Sequence, residues 1–96
     1  MSSRAIRYRR APGAPFRYLD DDVIVAPPGT DTFESLAGTA ADVWSLLDAP
    51  RTLDDLVVVM TQAYSANADQ LKTDISALLE RLMAAGSIRI VDHDDR

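Results

Sequence analysis

Residues 23–57 constrain the fold more than any other part of this chain; they read VIVAPPGTDTFESLAGTAADVWSLLDAPRTLDDLV. Residues 23–26 form a continuous apolar run, short enough for a strand that is buried on both faces. Residues 32–36 alternate in polarity and predict a further strand. The two prolines and the glycine in residues 27–31 predict the turn between them. The segment therefore predicts a hairpin that leads directly into helices.

Each of three predicted helices begins with a capping signal in the sequence. A side chain that can accept from the first free amides is followed three residues later by one that can reach back. The pairs are Thr39 with Asp42, Thr52 with Asp55, and Asn67 with Gln70. Pro50 ends the first helix, and Gly86 is suited to a left-handed stop after the third.

Each predicted helix has one apolar face. The faces comprise Ala40, Val43, Trp44 and Leu47, then Leu53, Leu56, Val57, Met60 and Tyr64, then Leu71, Ile75, Leu78, Leu79 and Leu82. Residues 16–19 predict a first strand before the hairpin, and Ile88 and Ile90 indicate a short last one. The predicted fold class is α+β: a three-stranded antiparallel sheet followed by three helices, similar to a winged helix-turn-helix. Trp44 and Tyr64 are expected in the core.

The chain is long enough for one domain, which we place at residues 16–91. Residues 1–15 are predicted to be a basic, partly flexible arm, with a short edge strand around Ile6 and Tyr8 as the alternative, and residues 92–96 a polar tail. Residues 1–19 carry five arginines and no acid, whereas the rest of the chain carries all 15 acids and five bases. An acidic body is a poor match to nucleic acid. Without cysteines, a signal peptide or a membrane-length apolar run, a cytoplasmic location away from membranes is expected.

Few residues suggest catalysis. The single histidine, His93, lies in the polar tail, and the glycines are scattered at turns rather than gathered in a phosphate loop. The run Asp20, Asp21 and Asp22 lacks the spacing of a calcium loop and is interpreted as a solvated turn. We therefore predict no catalytic residue, no metal site and no cofactor.

An ordered set of motifs resembles the PqqD-like family, the recognition elements for precursors of ribosomally synthesised and modified peptides. Members carry a strand ending in Leu-Asn, a helix start with Thr, a Val/Ile-Trp pair, Leu-Leu-Asp-Gly, and Thr-x-x-Glu-Leu. The matching residues here are Leu36, Thr39, Val43, Trp44, Leu46, Leu47, Asp48, Thr52 and Leu56. Ala37, Ala49 and Asp55 depart from the pattern. The similarity spans about residues 16–90.

The resemblance implies a non-catalytic module that binds the leader segment of a precursor peptide. In the family the leader lies antiparallel along the third strand, in a groove closed by the third helix. Carried over, the pairing strand is Thr32, Phe33, Glu34, Ser35 and Leu36. The groove wall is Asp74, Ile75, Leu78, Arg81 and Leu82; the three apolar members of that wall could equally be ordinary core residues.

The resemblance also implies partners. The module would deliver its peptide to maturation enzymes: a leader peptidase and a macrolactam-forming synthetase in lasso-peptide biosynthesis, or a radical SAM enzyme in cofactor biogenesis. The separate chain, the basic N-terminus and the lost Leu-Asn signature favour the lasso setting. The alternative is a winged-helix DNA-binding regulator reading with the third helix, but there Lys72 and Arg81 are outnumbered by Asp69, Asp74 and Glu80. An enzyme is the third and weakest alternative.

Overall fold

The computed structural model describes residues 6–26 and 31–91. Residues 27–30 of the predicted turn, the first five residues of the predicted arm, and the tail 92–96 with His93 lie outside the described residues. Six strands and three helices follow one another in this part of the chain. They are β1 (Arg7–Arg10), β2 (Phe16–Leu19), β3 (Asp22–Val25), β4 (Glu34–Leu36), α1 (Thr39–Leu46), β5 (Arg51–Thr52), α2 (Leu53–Tyr64), α3 (Ala68–Ala85) and β6 (Ile88–Val91).

The predicted three-stranded sheet is present, with antiparallel order β2-β3-β4. Its last strand is shorter than predicted, because Thr32 and Phe33 precede β4. Val23 and Val25 on β3 are fully buried, whereas Ile24 between them is half-buried. The prediction that this run is buried on both faces was therefore wrong: helices cover one face of the sheet only.

A second antiparallel sheet, of order β5-β1-β6, ties the two ends of the described chain together. Strand β1 pairs with β5 on one side and with β6 on the other. The strand expected as an alternative around Tyr8 is therefore present, but it is the central strand of this sheet and not an edge strand. Residues 7–10 of the predicted flexible arm belong to it. The short strand predicted at the end of the chain is confirmed as β6.

Helix starts follow the predicted signals in two of three cases. Thr52 and Asp55 make a complete capping box, and the Asn67 side chain accepts from the Gln70 amide at 3.0 Å. Thr39, however, is the first residue of α1 rather than its cap. Gly38 holds the cap position with φ 59 and makes no side-chain bond.

The core lies between the β2-β3-β4 sheet and the three helices. Trp44 is fully buried as predicted, among the apolar residues of β3, β4 and all three helices. Tyr64 was wrongly predicted in the core; it is 44% exposed at the end of α2. Gly86 ends α3 in the left-handed conformation, with φ 80. None of the helices in the described ranges has the length and apolarity to cross a membrane.

Candidate functional site

Strand β4 is the edge of its sheet. It pairs with β3 through Val23–Leu36, Ile24–Ser35 and Val25–Glu34, and no strand of the described chain pairs with its other side. An edge strand offers unpaired backbone donors and acceptors to an extended segment.

The backbone of Ser35 is the part of β4 that faces the open side. The Ala26 amide donates to the Pro15 carbonyl at 2.9 Å, so Ala26 points towards β2. Because backbone groups alternate along an antiparallel strand, Val23 and Val25 point the other way, towards β4. Their partners Leu36 and Glu34 therefore point back to β3, which leaves the N–H and C=O of Ser35 directed outwards.

A groove of about 250 Å³ lies between α1, which follows β4 after two residues, and α3, whose Arg81 contacts Glu34 of β4. Its lining combines apolar side chains at the floor with charged ones at the rim. The lining residues are Thr39, Ala40, Asp74, Ile75, Ala77, Leu78 and Arg81. The groove can therefore take an apolar side chain, with polar contacts around it.

An ion pair joins the edge strand to α3. The Nε–H of Arg81 donates to the carboxylate of Glu34, with 2.6 Å between the heavy atoms. The Arg81 side chain is 58% exposed and that of Glu34 is 23% exposed. Water screens such a pair, so its contribution to stability is small, roughly 0–1 kcal/mol. Its geometric effect is to hold the start of β4 against the C-terminal half of α3.

The opposite end of the groove is acidic. Asp74 accepts a hydrogen bond from the Gln70 side chain at 3.0 Å. On α1, Asp42 accepts a hydrogen bond from the hydroxyl of Tyr64, which raises the pKa of Tyr64 above its ordinary value. This bond places the first turn of α1 beside the turn between α2 and α3.

The structure brings together five of the ten predicted site residues at the groove. Asp74, Ile75, Leu78 and Arg81 line the groove, and Glu34 reaches it through Arg81. Leu82 does not line the groove and is fully buried in the core. By strand alternation Phe33 and Ser35 direct their side chains to the outer face of the sheet, where Phe33 is 73% exposed; Leu36 points into the core.

Three groove residues were missed by sequence reasoning. Thr39 and Ala40 were interpreted as a helix start, and Ala77 carries no chemistry that would single it out. Only its spacing was informative, since Ala77 lies three residues after Asp74 and four before Arg81, and therefore shares their side of α3.

Two further clefts lie elsewhere. One, of about 350 Å³, is lined by Tyr8, Leu53, Ser76, Leu79, Glu80, Met83 and Ile90. The other, of about 450 Å³, lies on the outer sheet face around Leu19, Ile24 and Phe33. No group of three or more potential metal-binding side chains occurs in the described ranges. Of these three clefts, the groove between α1 and α3 is the one with an apolar floor, an acidic and a basic lining residue, and an ion pair to the edge strand.

Comparisons with known proteins identify similar chains. The family model described as coenzyme PQQ synthesis protein D (PqqD) matches residues 22–88. A solved structure described as TbiB1 in complex with the TbiA(beta) leader peptide superposes with a TM-score of 0.77 at 20% identity, covering 84% of this chain and 94% of that one. No curated protein matches significantly. At this identity the structural likeness establishes a shared fold.

Proposed function

This chain belongs to the PqqD family, and from that premise we propose that it binds the leader segment of a ribosomally synthesised precursor peptide by strand addition to β4. The observation that supports this proposal is the open edge of β4 next to an apolar groove that α3 closes. A leader peptide is also the ligand named for the similar TbiB1 structure.

Backbone pairing alone does not hold such a peptide. Each hydrogen bond contributes roughly 0.5–1.5 kcal/mol net, while ordering the peptide costs roughly 1–2 kcal/mol per residue. A buried apolar side chain adds roughly 1.5–3 kcal/mol. The side chain that enters the groove between Ala40, Ala77 and Leu78 therefore decides affinity, and the outward N–H and C=O of Ser35 fix the register.

The module acts as a non-catalytic adaptor that presents its peptide to maturation enzymes. The partners we propose are a leader peptidase and a macrolactam synthetase or another modifying enzyme. No cofactor is needed for this role, since binding requires only a strand edge and a groove. The leader, once paired with β4, would leave the rest of the precursor free to reach those enzymes.

Titration of a fluorescently labelled leader, taken from the precursor encoded beside this gene, tests the proposal. We expect saturable binding to the wild-type chain. Ala77 is exposed on α3 and lines the groove, so Ala77→Phe should fill the groove without disturbing the core and weaken binding at least tenfold.

Ala63→Phe is the matched control. Ala63 is equally an exposed helical alanine, but it lies on α2 and does not line the groove. This variant should bind as the wild type does. Absence of saturable leader binding would overturn the proposed function, and equal weakening by both variants would overturn the position of the groove.

A further inference from the structure

Two contacts fix the direction in which the groove runs. Arg81 holds the start of β4 beside the C-terminal half of α3. Tyr64, through Asp42, holds the first turn of α1 beside the N-terminal end of α3. The chain from β4 into α1 therefore runs opposite to α3, and a segment paired antiparallel to β4 runs in the same direction as α3.

The groove has different chemistry at its two ends. Asp74 lines the end of the groove that lies towards the N-terminus of α3. Arg81 lines the other end. The Nε–H of Arg81 is taken by Glu34, which offsets part of its charge, and the guanidinium keeps four further N–H donors that suit a carboxylate.

The separation of the two ends matches a short extended segment. Asp74 and Arg81 are seven residues apart on α3, which is about 10 Å along the helix axis. Alternate residues of a strand share a face and lie roughly 6.6 Å apart, so three of them span about 13 Å. The middle one falls over Ala77 and Leu78, at the apolar floor.

We propose that the groove selects leaders by the order of three alternate side chains, which are basic, apolar and acidic from N-terminus to C-terminus. The basic side chain meets Asp74, the apolar one enters between Ala40 and Leu78, and the carboxylate accepts from Arg81. The inference rests on the proposed function, because the order follows from antiparallel pairing with β4. It adds to that function a charge code and a reading direction for the bound peptide.

Three synthetic peptides on one leader scaffold test the proposal. Around the apolar anchor they carry Lys-Leu-Asp, Asp-Leu-Lys or the neutral Gln-Leu-Asn at three alternate positions. We expect the first peptide to bind about five- to tenfold more tightly than the second at low salt, with the difference shrinking as salt rises.

Single variants, measured with the half-charged peptides Lys-Leu-Asn and Gln-Leu-Asp, assign each charge to its partner. Asp74→Asn should remove the preference for a basic side chain at the first position only. Arg81→Gln should remove the preference for an acidic side chain at the third position only. Unchanged binding of the neutral peptide by both variants shows that the groove is intact. Asp54→Asn on α2 and Arg89→Gln on β6 change charge at exposed positions outside the groove lining and should leave the preference unchanged.

The outcomes separate the two proposals. Equal binding of the two charged peptides, or tighter binding of Asp-Leu-Lys, overturns the charge order while leader recognition stands. An Asp74→Asn effect at the third position overturns the direction of the peptide. If neither the natural leader nor any of the three peptides binds, the proposed function fails and the charge order falls with it.

Discussion

Thr52 starts α2 with two reciprocal hydrogen bonds. Its hydroxyl accepts from the Asp55 amide at 3.0 Å, and its own amide donates to the Asp55 carboxylate at 3.0 Å. The bond from the Thr52 backbone holds the pKa of Asp55 below its ordinary value of 3.8, with smaller contributions from the Thr52 hydroxyl, Arg7 and Arg51. Because the folded pKa is lowered, the stabilisation is present above pH 3.8 and is lost as the pH falls through the folded value.

At the residue scale we therefore predict that Thr52→Ala lowers the free energy of unfolding at pH 7 by about 1 kcal/mol. Asp55→Asn should also flatten the loss of stability below about pH 4. Urea unfolding followed by the fluorescence of Trp44, the single tryptophan, measures both. Asp54→Asn removes the same charge from the same helical turn without touching the capping box, and an equal flattening in that variant would contradict the prediction.

At the scale of the element, β4 depends on which of its amides face outwards. The Ser35 amide points to the open edge, whereas those of Glu34 and Leu36 point to β3. Proline is tolerated in an edge strand where its missing donor faces away from the sheet. If the leader pairs with β4 as proposed, a proline at 35 removes one backbone donor to it, whereas a proline at 34 would also break the pairing with β3.

We predict that Ser35→Pro weakens leader binding at least tenfold while its unfolding midpoint stays close to that of the wild type. Ser35→Ala keeps the amide and should bind normally, because the serine side chain points to the outer face of the sheet. Fluorescence anisotropy with the labelled leader and urea unfolding provide the two measurements. Normal binding by the proline variant would exclude pairing at Ser35.

The helices could be predicted from the sequence better than the strands. Reciprocal start signals and apolar spacing located α1, α2 and α3, and the Thr52 capping box is confirmed in both of its bonds. Gly38 rather than Thr39 holds the cap position of α1, and Asp42 bonds to Tyr64 across the fold instead of reaching back along its own helix. Such a long-range contact leaves no local pattern.

The groove was predictable only as a helix face. Spacing placed Asp74, Leu78 and Arg81 on one side of α3, but Leu82 on the same stripe turned out to be core. Which side of that stripe meets β4 depends on the angle at which α3 crosses the sheet. That angle is set by packing between elements that are distant in the sequence. The Arg81–Glu34 pair, which joins α3 to β4, links residues 47 positions apart, so local spacing does not predict it.

At the scale of the whole molecule, β1 links the beginning of the described chain to its end. It is the central strand of the second sheet, between β5 and β6. The Arg10 amide also donates to Leu47 at 3.0 Å, and the Ala11 amide to Ser87 at 2.9 Å. The Arg10 guanidinium lies 4.6 Å from the ring centre of Phe16 and 5.6 Å from that of Trp44.

A chain that starts at residue 16, the boundary suggested by the sequence, should therefore be less stable than the full chain. Its β5 and β6 would have no partner strand, and we expect a loss of roughly 2–4 kcal/mol from the missing backbone pairs and the uncovered side of the core. Urea unfolding of the two chains measures the difference. Equal unfolding midpoints would mean that β1 is dispensable.

The connection between β4 and α1 is only two residues long, Ala37 and Gly38. Gly38 adopts φ 59, and backbone hydrogen bonds from the Ala40 amide to Ala37 and from the Asp42 amide to Gly38 hold this joint to the start of α1. If a leader binds at β4 as proposed, a shift of the strand would pass through this short joint to α1, which carries Trp44. We therefore expect leader binding to change the fluorescence of Trp44, the single tryptophan, so that binding can be measured without a dye.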